Sequence, residues 1–171
     1  TELLLLRRAL ITDLDDLHAV LTNPNAMRYW SSLPHESVDQ TRGFLSAMVG
    51  ASPEHSDDFV VEFEGRAIGK AGCWRPGEIG FIFHPSCWGK GLAHESLVAI
   101  IPHVFDTLPA ETLIADVDPR NAASLKLLDR LGFIETGRET GTVLLGDEWC
   151  DSVYLELTKA EAARRICGVE L

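Results

Sequence analysis

The stretch Glu78-Ile79-Gly80-Phe81-Ile82-Phe83-His84-Pro85-Ser86-Cys87-Trp88-Gly89-Lys90-Gly91-Leu92-Ala93 constrains the fold of this chain more than any other. Its first residues read as a strand and its last open a helix, joined by a Trp-Gly-Lys-Gly turn. Glycines at 89 and 91 allow backbone conformations closed to residues with a Cβ and let a ligand approach the main chain. Lys90 adds a cation between them. The unpaired N–H groups from Gly89 to Ala93 converge with the positive end of the helix dipole, so an anion is expected there. Glycines also serve such turns for steric reasons alone, so the anion reading depends on its surroundings.

A chain of 171 residues is about one domain, and its 46% hydrophobic and 24% charged residues describe a globular protein with a core. The formal net charge of -11 argues against nucleic acid or an anionic membrane as partner. Ligand phosphates would then be attracted by a local cluster of Lys90, Arg120, Lys126 and Arg130, because distant charges are screened beyond about 8–10 Å. Cysteines 73, 87, 150 and 167 show no metal-binding or disulfide spacing, and the histidines none either, so neither a metal nor a disulfide is expected. Free thiols suit a reducing cytoplasm. The run Leu3 to Leu6 is too short for a signal or membrane segment and reads as a first strand.

Thr12 with Asp15 predicts a helix start with Leu14, Leu17, Val20 and Leu21 on one face, ending near Asn23-Pro24. Ser37 with Gln40 predicts a second helix, which stops near Gly50, and residues 24–36 between them read as a loop. Residues 59–63 and 67–73 flank Glu64-Gly65-Arg66 as a hairpin, and residues 78–83 form the next strand. A helix follows over residues 92–108 with Pro102 inside it. Then come a strand at 113–117, a helix at 122–131 closed by Gly132, and an antiparallel pair at about 133–144 and 150–157. This order predicts an α/β (α+β) fold: a mixed six- or seven-stranded sheet with helices on both faces.

Together with Asp118-Pro119-Arg120-Asn121-Ala122-Ala123-Ser124 and Leu131-Gly132-Phe133, the strand-turn-helix resembles the GNAT superfamily of acyl-CoA N-acyltransferases, in particular its RimJ/RimL-like branch. The early Asn23-Pro24-Asn25-Ala26-Met27-Arg28-Tyr29-Trp30 and the late Gly146-Asp147-Glu148-Trp149 are similar to other segments of that branch, so the resemblance spans nearly the whole chain. Ser86 departs from the Gln or Arg of the superfamily pattern. The resemblance implies a single domain over residues 1–171, splayed central strands, and acetyl transfer from acetyl-CoA to a primary amine in a ternary complex. A homodimer is compatible with it. A non-catalytic acyl-CoA-binding module and a transferase for a longer acyl group are the alternatives.

Residue by residue, the resemblance implies that backbone groups of Ile82, Phe83 and His84 pair with pantetheine, and that Trp88, Gly89, Lys90, Gly91, Leu92 and Ala93 hold the pyrophosphate. Asn121 and Lys126 would meet the pantetheine or phosphate end. Glu78 stands where relatives place a carboxylate that takes the amine proton. Leu128 occupies the position of a frequent tyrosine acid, which leaves Ser124 to protonate the thiolate; Ser124 would also contact the cofactor. Structural readings stand beside these: Glu78 as a surface carboxylate after the Pro76-Gly77 turn, Asn121 as a helix cap, Ser124 as packing and Lys126 as a solvated charge. Cys87 lacks an identifiable partner base for an acyl-cysteine. Arg28, Tyr29 and Trp30 would wall the amine pocket, or plug the core. The acidic surface favours a basic acceptor such as a protein N-terminus, a polyamine or an aminoglycoside.

Overall fold

A computed structural model of the chain describes Thr1 and residues 3–168. Alternating apolar residues build one seven-stranded sheet, in the order β1-β2-β3-β4-β5-β7-β6. The strands are β1 (Leu5–Arg7), β2 (Asp57–Phe63), β3 (Arg66–Arg75), β4 (Glu78–Phe83), β5 (Thr112–Val117), β6 (Ile134–Leu145) and β7 (Glu148–Thr158). The helices are α1 (Leu14–Leu21), α2 (Val38–Gly50), α3 (Leu92–Thr107), α4 (Ala122–Arg130) and α5 (Lys159–Arg165).

Period-2 alternation sorts the side chains of the sheet onto two faces. Val61, Ala71, Cys73, Ile79, Phe83, Leu113, Ala115, Val117, Val153 and Leu155 share one core with Leu97 and Ile101 of α3, Leu128 of α4 and Ala162 of α5. On the other face Val60 and Ala67 pack against Leu17 and Leu45, while Ile82 meets Val20, Leu21 and Met27. The expected helices on both sides of a mixed sheet are therefore present.

β4 and β5 run parallel, and their registered pairing is confined to Glu78 and Ile114. Beyond that point the strands part. Ile114 N donates to Gly77 O at 2.7 Å at the join, whereas His84 N at the far end of β4 donates back to Ile68 O of β3 at 2.8 Å. α3 follows β4 and α4 follows β5, so both helices begin beyond the carboxyl ends of a diverging parallel pair. That is where open α/β sheets place their ligand crevice.

Three local expectations shift. The first strand is Leu5–Arg7 rather than residues 3–6. Thr12 lies in a 3-10 turn, Ile11–Asp13, because Asp13 turns back to accept from Leu10 N at 2.8 Å and from the Arg7 guanidinium; α1 starts after it. α5 was not expected, although Thr158 caps it by accepting from Glu161 N at 3.2 Å, the pattern of a capping box.

Candidate active site

The turn after β4 is shaped by its own side chains. His84 Nδ1 accepts from Ser86 N at 3.3 Å and meets Ser86 Oγ at 2.8 Å, fixing a short 3-10 turn over Pro85–Cys87. Trp88 Nε1 donates to Phe83 O at 3.0 Å, which ties the loop to the end of the strand. Gly89 and Gly91 then take left-handed φ values of 72° and 79°, and a Cβ at either would project into open space. The first intrahelical bond of α3 is Glu95 N to Gly91 O at 2.9 Å. Among the described residues, no backbone N–H from Gly89 to His94 reaches a protein acceptor. This is an exposed cluster of free donors at a helix N-terminus with Lys90 beside it, which suits a pyrophosphate.

The exposed edge of β4 corrects one expectation. Backbone groups alternate in direction along a strand, and Gly77 faces β5 while His84 faces β3. The groups directed into the gap therefore belong to Phe81 and Phe83. Those of Ile82 and His84 face β3, and the His84 N–H is spent on Ile68.

On the α1/α2 face lies a cavity of about 630 Å³, walled by Tyr29, Trp30, Phe44 and Met48 and floored by the sheet. The same alternation that turns Ile79 and Ala115 to the core turns Asp58, Lys70, Trp74, Glu78, Asp116 and Ser152 toward this cavity. Lys70 Nζ pairs with Asp58 Oδ2 at 2.6 Å, both side chains buried, and sits 5.3 Å from the Trp30 ring centroid. Burial pushes the Asp58 carboxyl upward and the Lys70 ammonium restrains it. Glu78 Oε1 accepts from Trp74 Nε1 at 3.0 Å and Oε2 from Arg75 Nε at 2.8 Å, so both of its oxygens are engaged. The Arg120 guanidinium beside Asp118 holds that carboxyl below its ordinary range. Asp116, although exposed to the cavity, moves the other way: partial desolvation raises it, Ser152 offsets part of the rise, and Glu78 and Glu139 add to it.

Tyr29, Trp30 and Glu78 line this cavity. Arg28 is not among the lining residues; it is exposed, with its guanidinium 5.3 Å from the Tyr29 ring centroid and close enough to Asp118 to favour that carboxylate. Asn121 and Ser124 stand at the start of α4, across the strand gap from the glycine turn, where Asn121 Oδ1 accepts from Ser124 N at 3.2 Å. Lys126 is exposed on the same helix, and Leu128 is wholly buried in the core. Asp58, Lys70, Asp116 and Ser152 went unread in the sequence. Lys70 had carried a signal, as a cation inside the apolar run of residues 67–73.

Among the described residues, no helix is long and apolar enough to cross a membrane.

Residues 4–134 match the sequence profile described as "Acetyltransferase (GNAT) domain". An uncharacterized N-acetyltransferase p20 of Bacillus licheniformis is 30% identical over 146 residues, covering 80% of this chain and 82% of the relative. The [ribosomal protein uS5]-alanine N-acetyltransferase of Escherichia coli is 34% identical over 80 residues, 47% of this chain and 41% of that protein. In structure, the spermidine N-acetyltransferase of Vibrio cholerae, solved with CoA and spermine, superposes with a TM-score of 0.81 at 23% identity, covering 95% of this chain and 99% of that one. The donor-lined turn, the parted strands and these likenesses agree: this chain belongs to the GNAT family of N-acetyltransferases.

Proposed function

We propose that this acetyltransferase moves an acetyl group from acetyl-CoA to the primary amine of a cationic acceptor, in a ternary complex. The observation that carries the reading is the run of unpartnered N–H groups from Gly89 to His94 at the mouth of the β4–β5 gap. Acetyl-CoA supplies an activated thioester with a thiol as leaving group. The N–H groups of that turn and Lys90 bind the pyrophosphate, and the Phe81 main chain and the Phe83 N–H pair with pantetheine, Phe83 O being held by Trp88 Nε1. One N–H in that pair faces the thioester oxygen, a donor worth about 2.7–4 kcal/mol in comparable acyl chemistry. The Asn121 amide donates toward the same crevice, and the Ser124 hydroxyl gives the departing sulfur its proton. Lys126, on the outer face of α4, is left for the 3′-phosphate.

The amine enters through the cavity on the α1/α2 face. Asp58, Glu78, Asp116, Asp118 and Asp151 line it, against the single ammonium of Lys70. Such a surface favours a primary amine with further positive charge nearby, whether on a polyamine or on a basic protein N-terminus. Four free cysteines fit a cytoplasmic setting.

Calorimetric titration with acetyl-CoA tests the donor side, with dephospho-CoA as control for the 3′-phosphate; micromolar binding, about -8 kcal/mol, is expected. Release of CoA thiol with spermidine, an aminoglycoside or a basic alanine-initiated peptide then identifies the acceptor. Binding only in the millimolar range would overturn the assignment.

A further inference from the structure

We propose that Asp116, and not Glu78, takes the proton from the incoming ammonium, with Glu78 as its fixed anionic neighbour across the β4–β5 gap. This inference rests on the amine-transferase reading. It follows from comparing the carboxylates that line the cavity. Asp58 is paired with the Lys70 ammonium. Asp118 is paired with Arg120. Asp151 Oδ1 accepts from Gly141 N at 2.9 Å. Glu78 is held by the Trp74 indole and by the Arg75 guanidinium, which binds one of its oxygens through two nitrogens. A carboxylate held by a guanidinium gives up charge-assisted bonds when it takes a proton, so it is a poor base. Among the described residues, Asp116 alone of this set has no cation and no backbone N–H on it. The neighbouring Ser152 hydroxyl, 2.6 Å from Thr142 Oγ1, is a neutral group that offsets only part of the rise.

Position supports the same residue. Ile114 holds the last β4–β5 pair, and Asp116 is the next residue of β5 on the same face, beside the part of the gap that is open. Glu78 stands at the closed end, where the strands still pair. The groups around Asp116 are Glu78 from β4, with Arg75 behind it on β3; Glu139 from β6, which accepts from Tyr154 Oη at 3.2 Å; and Ser152 and Tyr154 from β7. Asp118 with Arg120 follows on its own strand exit, and Lys70 with Asp58 and Asp151 complete the cavity lining. The carboxylates Glu78 and Glu139 raise the affinity of Asp116 for a proton, which narrows its mismatch with an ammonium group.

The proton balance is simple. Asp116 takes one of the ammonium protons, freeing the lone pair that forms the new C–N bond as the C–S bond breaks. The second proton lost by nitrogen replaces the one that the Ser124 hydroxyl hands to the departing sulfur, and Asp116 returns its own to solvent.

The test uses the full chain with acetyl-CoA and spermidine or a basic alanine-initiated peptide, whichever the wild type acetylates. Asp116→Asn should lower kcat by about 100-fold or more and remove the acid limb of the kcat/KM profile, at unchanged acetyl-CoA affinity. Glu78→Gln should keep that limb and move it to lower pH, because a neighbouring negative charge is gone. In parallel, carboxyl ¹³C NMR should find Asp116 titrating above the ordinary aspartate value of about 3.9, and lower in Glu78→Gln than in wild type. That titration decides the matter if Asp116→Asn does not fold. Retention of the acid limb in a folded Asp116→Asn, or a midpoint indifferent to Glu78→Gln, overturns the proposal. A wild type that binds acetyl-CoA and acetylates no amine overturns instead the reading beneath it, and the proposal falls with that reading.

Discussion

Lys70 Nζ lies 2.6 Å from Asp58 Oδ2 under the cavity of the α1/α2 face, with 3% of the Lys70 side chain and 7% of the Asp58 side chain accessible. Among the described residues Asp58 Oδ1 has no hydrogen-bond partner, so the pair depends on this one contact. Removing one member of a buried pair leaves an uncompensated charge, at a cost of about 3–5 kcal/mol, whereas replacing both by apolar groups is often neutral. Lys70→Met should lose that much in urea unfolding at neutral pH, and Lys70→Met/Asp58→Leu should recover most of it. Asp58 is raised by burial, and more so without Lys70. A carboxyl raised in the folded state costs stability as pH rises through its folded value, so the Lys70→Met deficit should narrow on acidification.

That pair also marks where the sequence stopped being informative. The Trp88-Gly89-Lys90-Gly91 turn, the Ser37-to-Gln40 capping box and the Asn121 cap act over a few residues, so their physics is written in adjacent letters. Thr158 and Glu161 were equally legible and were passed over. The cavity is different. Asp58, Lys70, Glu78, Asp116 and Ser152 come from β2, β3, β4, β5 and β7, and only strand order and register bring them together. Period-2 alternation puts each on a face; it does not say which strands are neighbours. The partners of Glu78, by contrast, lie only three and four residues away at Arg75 and Trp74, but it takes the geometry of the β3–β4 turn to bring them onto its carboxylate.

A second ionic contact should report through pH. Arg7 Nη2 meets Asp13 Oδ1 at 2.7 Å, and Leu10 N donates to Asp13 Oδ2 at 2.8 Å. Burial works against the ionised Asp13, but the Arg7 guanidinium and the Leu10 N–H outweigh it and hold the carboxyl below its ordinary value. A depressed carboxyl contributes stability that is present above the unfolded value, about 3.9, and lost as pH falls through the folded one. Asp13→Asn should therefore cost about 2 kcal/mol at neutral pH, and the difference should vanish under strongly acidic conditions. Thermal melts of both proteins across that range would check it.

The glycine turn makes a sharper prediction. Gly91 is the N-cap of α3 at φ 79°, with open space where a Cβ would point. A side chain there meets no clash, yet the left-handed conformation costs a residue with a Cβ roughly 1–2 kcal/mol. Gly91→Val should remain folded with a lower melting temperature, and acetyl-CoA binding should weaken about tenfold or more as the donors lose their alignment. Wild-type affinity in this variant would contradict the pyrophosphate assignment.

Asn121 separates structure from ligand contact within one residue. Its Oδ1 caps α4 by accepting from Ser124 N at 3.2 Å, while among the described residues its amide nitrogen has no partner. Asn121→Ser retains an oxygen suited to the cap and removes the amide donors, so the melting temperature should change little. Asn121→Ala removes both and should cost about 1 kcal/mol of stability. If the free amide meets the cofactor, both variants should weaken acetyl-CoA binding by a similar factor despite their different stabilities. If Asn121 is only a cap, Asn121→Ser should bind as the wild type does. Calorimetric affinities set beside melting temperatures for the two variants tell these outcomes apart. Ser124→Ala in the same series should leave the cap donor, a backbone N–H, in place and lower the rate of thiol release without changing affinity.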